Sequence, residues 1–383
     1  PVGRRLGMFA QVRPDDMLAH VLRATLADVP GFDPALLGDV IAGCAMPEAE
    51  QGMNVARISA LLAGLPASVP GMTINRFCAS GLQAVALAAD RIRLGEADAI
   101  LAAGTETMSL MQQITGNRLA INPAIFAGDE QRGIAYGMGL TAEKVAAQWQ
   151  VSREDQDAFA ADSHRKALAA IDGGHFAAEI SPFPVTLRQP DLQTGEVRLR
   201  EFVADTDEGP RRDTSPERLA RLKPAFAARG SVTAGNSSQM SDGAGAVLVV
   251  SERMLRQFKL QPLARFVGFA VAGVPPEIMG IGPIEAIPRV LRQTGLRQQD
   301  IDWIELNEAF AAQSLAVIRS LDIDPVKVNP CGGAIALGHP LGASGAIRSA
   351  TLLHGLRRTR QRYGMVTMCV GTGMGAAGVF EGL

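Results

Sequence analysis

Short apolar runs alternate with amphipathic stretches along this chain, which predicts an α/β protein. Gly71-Met-Thr-Ile-Asn75 reads as a strand leading to Cys78, and from about Ser80 the apolar positions Leu82, Val85, Ala89 and Ile92 recur at helical spacing. Asp98-Ala-Ile-Leu-Ala-Ala-Gly104 reads as the next buried strand, and Gly243-Ala-Gly-Ala-Val-Leu-Val-Val250 suits another. The C-terminal third repeats the theme: a strand at Ile301–Glu305, a helix over Ala309–Leu321, and a buried strand at Gly364–Cys369 running into a glycine turn. Both ends thus place a cysteine where an apolar strand meets a loop. That suggests an internal duplication, although side-by-side identity is weak.

The middle differs. From Ser109 to Met240 charges, polar turns and prolines increase. One helix is predicted over Thr141–Gln150, and Ser152-Arg-Glu-Asp155 is a capping box that opens a second. This region reads as an insertion carrying substrate contacts rather than core sheet.

Composition narrows the function. A chain of 383 residues with 47% hydrophobic content can bury a large core. A net charge of −2 without long basic runs argues against nucleic acid as a main partner. No apolar run approaches the ~20 residues that span a bilayer. The 4 cysteines (44, 78, 331 and 369) form no C-x-x-C pair, so neither zinc spacing nor a disulfide scaffold is indicated, and no metal site is expected. A reducing compartment is the simplest reading, with the cytoplasm expected. The start at Pro1-Val-Gly-Arg-Arg reads as mid-element, which leaves an N-terminal targeting segment open.

Three glycine-rich frames carry the chemistry. Cys78 lies in Asn75-Arg-Phe-Cys-Ala-Ser-Gly81, where a helix N-terminus should favour thiolate and lower its pKa. Small neighbours leave backbone N–H groups open to an oxyanion. Alone, it reads first as a buried structural cysteine, the usual fate of a free Cys. His339 is the one histidine of 5 inside a glycine-rich loop, Gly332-Gly-Ala-Ile-Ala-Leu-Gly-His-Pro-Leu-Gly342, with Pro340 suited to the first position of a helix. An imidazole so placed can act on a thiol as general base. The remaining histidines read as surface or packing residues. Cys369, in Cys369-Val-Gly-Thr-Gly373, supplies a second thiol, tunable toward neutrality for moving a proton at carbon, beside the Gly371 N–H. Asn307, in Asn307-Glu-Ala-Phe-Ala311, is either a helix cap or a holder of water or the histidine near an oxyanion.

Taken in order, these four segments resemble the active-site blocks of the thiolases, and the resemblance spans essentially the whole chain. It implies the thiolase fold: two duplicated α/β halves in a five-layered αβαβα arrangement with an inserted loop domain. The implied division is residues 1–108 plus 241–262, a loop domain over 109–240, and 263–383. Cys78 would become acylated, activated by His339, while Cys369 serves as acid/base. The N–H groups of Cys78 and Gly371 would form one oxyanion hole; His339 and a water held by Asn307 would form the other. Coenzyme A would be a co-substrate rather than a resident cofactor. It would lie against the middle region near Ser238 of Val232-Thr-Ala-Gly-Asn-Ser-Ser238, with Arg211, Phe226 and Met279 along its path. A homodimer or homotetramer is implied.

Glu50-Gln-Gly-Met-Asn-Val-Ala-Arg57 resembles the degradative 3-ketoacyl-CoA branch. Gly137 stands where the acetoacetyl-CoA-forming branch usually carries a CoA-contacting histidine, and Cys331 occupies a position often asparagine, near His339 in sequence. Expected chemistry is thiolytic cleavage of 3-oxoacyl-CoA. The alternatives are acetoacetyl-CoA formation or a catalytically silent lipid binder. A decarboxylating ketosynthase is disfavoured by Cys369, and a Cys–His hydrolase would act without CoA. The acyl pocket is expected from loop residues between about 107 and 140.

Overall fold

The computed structural model describes residues 1–111, 122–128 and 132–383, so part of the expected acyl-pocket loop lies outside the described residues. Strands β1 (Gly3–Arg4), β2 (Asp39–Gly43), β3 (Met72–Ile74) and β4 (Ala99–Thr107) come first. A largely exposed hairpin of β5 (Phe183–Pro190) and β6 (Val197–Ala204) stands apart, and β7 (Ser241–Val250) returns to complete a sheet ordered β1-β7-β4-β2-β3. Strands β8 (Ala264–Gly273), β9 (Trp303–Leu306), β10 (Tyr363–Val370) and β11 (Met374–Gly382) form the second sheet, ordered β8-β11-β10-β9.

The two sheets repeat one topology. β4 is parallel to β2 and antiparallel to β7, as β10 is parallel to β9 and antiparallel to β11. Gly104 faces Gly43 as Thr367 faces Leu306. A parallel Ile304–Val328 bridge stands where β3 pairs with β2. The duplication suggested by the strand-then-cysteine pattern is therefore real in the register. It also aligns Glu106, opposite Gly243, with Cys369, opposite Gly375.

Five layers result. The Ser80–Arg93 and Leu341–Thr359 helices pack on one another between the sheets. Pro14–Ala27 and Val55–Leu62 cover the first sheet outside; Gly282–Thr294 and Ala311–Ser320 cover the second. Glycine sets the central crossing: a Cβ on Gly345 would lie 2.1 Å from the Leu82 backbone nitrogen.

Boundaries differ from the sequence expectation where burial or pairing overrides local pattern. β4 runs on to Thr107 because its whole length is buried. The second middle helix, Arg153–Asp172, is capped as expected, Ser152 Oγ accepting the Asp155 N–H at 3.1 Å. Pro340 is the N-cap of its helix, not the first helical residue, and Phe310 rather than Asn307 caps the following one. The cap reading of Asn307 thus falls away.

One half-buried carboxyl ties stability to pH. Glu179 accepts from Thr351 Oγ1 at 2.9 Å on the Leu341–Thr359 helix. Burial, with Asp207 and Glu305 nearby, pushes its pKa up to about 8. An unfolded glutamate ionises near ~4.3. Between those values the folded state holds the extra proton, so stability falls as pH rises through the window. Glu179→Gln is expected to flatten the decline of melting temperature between about pH 5 and about pH 8. An unchanged slope would clear Glu179 of this role.

Candidate active site

Beyond β3 the chain turns sharply. Phe77 is held in a left-handed conformation with φ of 43°, which few non-glycine residues adopt. Asn75 Oδ1 accepts the Phe77 N–H at 2.7 Å, and Ser80 Oγ accepts the Arg76 N–H at 2.8 Å while donating to the Phe77 carbonyl at 2.7 Å. This clasp presents partly exposed Cys78 at the start of the central helix. Its sulfur receives the N–H groups of Gly371 and of Cys78 itself, and both favour the thiolate. Burial is the larger effect and pushes the thiol up to about 11. The expected lowering by the helix N-terminus is therefore corrected: a dipole of ~0.3–1 kcal/mol does not offset desolvation. Cys78 therefore rests as a neutral thiol.

Cys369, on β10, is fully buried. Its pKa is driven upward by burial first and by the neighbouring Cys78 second, so the expectation of a near-neutral pKa in the resting site is corrected too. Beyond it the chain turns at Thr372 and Gly373, with φ of 66° and 91°. A Cβ on Gly373 would lie 2.2 Å from the Val274 carbonyl oxygen, so the turn that aims the Gly371 N–H requires glycine.

His339 enters from the other half. Its N–H donates to Ser241 Oγ at 3.0 Å. Nδ1 lies 2.6 Å from Ser344 Oγ, which donates in turn to the Pro340 carbonyl at 3.2 Å. With that hydroxyl proton committed, Nδ1 carries the imidazole hydrogen, an assignment made from the hydrogen-bond network. Nε2 keeps its lone pair and lies 3.2 Å from Asn307 Nδ2. Burial, then the charge of Arg348, holds the imidazole pKa down to about 3, so it is neutral at physiological pH. Asn307 Oδ1 is buried and, among the described residues, has no hydrogen-bond partner.

A buried carboxyl ties these frames together. Glu106 accepts from the N–H groups of Ala45 and Gly342, each at 2.8 Å, and from Gln51 Nε2. It fixes the start of the His339 helix to the first sheet. Sequence reading missed Glu106 and Ser344. Ser344 carried a signal, lying one helical turn past Pro340 on the histidine's side.

The five expected reactive residues fall into two contacting groups. Cys78 meets Gly371 and Cys369, and His339 meets Asn307. Among the expected CoA contacts, Met279 is buried in a cluster with Phe310 and Cys369. Phe226, 42% exposed, meets Phe310 edge-on at 6.1 Å. Ser238 is partly buried and donates its N–H to the Ala309 carbonyl at 2.9 Å. Arg211 sits at the surface beside His164 Nδ1, apart from this group. Cys331 is buried in the core, 3.8 Å from His175 Nδ1 and 3.3 Å from Arg358 Nη2, which is a packing position.

Family models for the N-terminal and C-terminal domains of thiolase match residues 1–253 and 260–382. The chain belongs to the thiolase family. This thiolase is 49% identical to a 3-ketoacyl-CoA thiolase of Bacillus subtilis, over all of this chain and 96% of that protein. It is 47% identical to the peroxisomal 3-ketoacyl-CoA thiolase A of Rattus norvegicus, over all of this chain and 86% of that one. The crystal structure of the dimeric peroxisomal thiolase of Saccharomyces cerevisiae superposes with a TM-score of 0.89 at 41% identity, over 100% of this chain and 95% of that one.

In this thiolase Ser344 is expected to matter through the tautomer it fixes. Ser344→Ala leaves a buried imidazole N–H unpaired, at a cost of about 1–3 kcal/mol, and releases the other tautomer. Turnover should drop by roughly 10- to 100-fold. The 15N shifts of the ring should show loss of the Nδ1–H form; an unchanged tautomer with full activity would refute the role.

Proposed function

We infer that this thiolase catalyses CoA-dependent cleavage of 3-oxoacyl-CoA to acetyl-CoA and a shortened acyl-CoA. The observation that carries the mechanism is the pairing of two neutral thiols, Cys78 and Cys369, with the Gly371 N–H on the Cys78 sulfur; the neutral imidazole of His339, set against Asn307, is the base we assign to them. His339 Nε2 takes the Cys78 proton as sulfur attacks the C3 carbonyl carbon. The C2–C3 bond then breaks, its electron pair leaving as the acetyl-CoA enolate, which takes its proton from the Cys369 thiol. The CoA thiol next gives its proton to the Cys369 thiolate and attacks the acyl-Cys78 thioester; the Cys78 sulfur leaves and takes back the proton held by His339.

Charge on the carbonyl oxygen at Cys78 is met by the Cys78 and Gly371 N–H groups. The enolate is met by protonated His339 Nε2 and by a water for which the unpaired Asn307 Oδ1 is a suitable acceptor. CoA lies across the loop region, with Ser238 and Phe226 on its route, Met279 behind Cys369 and Arg211 at the outer end. We assign residues 1–108 with 241–262 to the first half, 109–240 to the loop domain and 263–383 to the second half.

A homo-oligomer in the cytoplasm is part of the proposal; four free cysteines suit a reducing compartment. Among the described residues no helix is long and apolar enough to cross a membrane. The test is CoA-dependent cleavage of a 3-oxoacyl-CoA series from four carbons upward. Cleavage of several lengths supports the degradative reading. Activity on acetoacetyl-CoA alone would move the protein to the other branch, and none at all would leave a silent binder.

A further inference from the structure

We propose that Gln313 is a positioning residue for Cys369, holding an amide N–H on its sulfur so that the thiolate can form where water is excluded. The proposal rests on reading Cys369 as the group that moves the substrate proton. Gln313 is fully buried on the Ala311–Ser320 helix. The two ends of its amide meet opposite surroundings. One terminal atom lies 2.8 Å from the Ser314 nitrogen and 3.0 Å from Ser314 Oγ. The other lies 3.2 Å from the Asn307 carbonyl oxygen and 3.6 Å from Cys369 Sγ.

A backbone N–H needs an acceptor and a carbonyl oxygen needs a donor. The amide oxygen therefore faces Ser314, and the nitrogen faces Asn307 and Cys369. Its two hydrogens serve the Asn307 carbonyl and the sulfur. Gly280 walls the side chain in: a Cβ there would lie 2.7 Å from Gln313 Cβ. Cys369 shares a buried apolar cluster with Ala142, Val232, Met279, Ala309 and Phe310. Cys78 is the titratable group that faces it.

When the enolate is protonated, the S–H bond breaks, a C–H bond forms and a thiolate is left. In reverse, a C–H bond of the acetyl methyl group breaks, its proton goes to sulfur, and the electron pair stays in the enolate. Both directions pass through the sulfur anion. A hydrogen bond to that anion is roughly twice as strong as one to the neutral thiol, so Gln313 acts on the reacting form. Because the same amide also grips the Asn307 backbone, it sets the thiol and the Asn307–His339 pair relative to one another.

The experiment is solvent deuterium exchange into the methyl group of acetyl-CoA across pH, with acetylation of Cys78 by acetyl-CoA followed by mass spectrometry in the same samples. Gln313→Met keeps the volume without a donor. It is expected to slow exchange roughly tenfold at neutral pH and to move the rising limb about one unit alkaline. Acetylation should stay within about threefold of the native rate. Gln313→Glu keeps the shape but offers an acceptor, and should move the limb the same way; it carries the test should the methionine variant not fold. Equal loss of both half-reactions, or a native exchange profile in the variants, overturns the proposal. Native protein that cleaves 3-oxoacyl-CoA but exchanges no deuterium would overturn the reading of Cys369 and the role of Gln313 with it.

Discussion

Cys78→Ser is expected to cut thiolysis by at least about 10⁴-fold and to leave no acyl-enzyme detectable by mass. The substitution is small, but the environment magnifies it. Burial already pushes the thiol up to about 11, and a serine hydroxyl ionises far less readily. His339, held down to about 3, is a weak base able to manage the thiol only because its proton leaves as the sulfur attacks. An oxygen ester formed at this position would also be a poorer acyl donor to the CoA thiol than a thioester. The checks are steady-state cleavage of a 3-oxoacyl-CoA and intact-protein mass after mixing with acyl-CoA. Native-like turnover would remove Cys78 from the mechanism.

Cys369→Ala is expected to separate the two halves of the reaction. Cys78, its two N–H donors and His339 are untouched, so Cys78 should still take an acyl group from acyl-CoA. Carbon–carbon cleavage should fall by about 10²- to 10⁴-fold, because the enolate has lost its proton source. The buried position limits replacement by solvent, since the residue is fully enclosed. Unimpaired cleavage with a normal acyl-enzyme signal would mean that another group delivers the proton.

Much of this site was legible in the sequence, for identifiable reasons. Cys78, His339 and Cys369 each stand in a glycine-rich frame, and glycine at Gly338 and Gly373 is required by positive φ at both turns. Strand and helix cores followed from apolar spacing. What could not be read was the sign of the balance at each thiol. A helix N-terminus is visible in sequence, whereas the enclosure that outweighs it depends on segments far apart in the chain. Gln313 and Glu106 were hidden for the same reason. Each looks like an ordinary polar residue until the fold brings Cys369 to one and Gly342 to the other.

The repeated register has an evolutionary consequence. Cys78 and His339 each stand two residues ahead of a central helix, so they occupy the same position in the two repeats of one topology. Glu106 and Cys369 are likewise counterparts. A symmetric pair of identical ancestors would have carried the same group twice at each location. Under the proposed mechanism the two copies are specialised: one position serves as nucleophile here and base there, the other as a strut here and a proton carrier there. The chain has therefore exchanged two equivalent reaction centres for a single asymmetric one. Installing a cysteine at Glu106 would not restore the lost centre, because it would remove the clamp on which the surviving one is built.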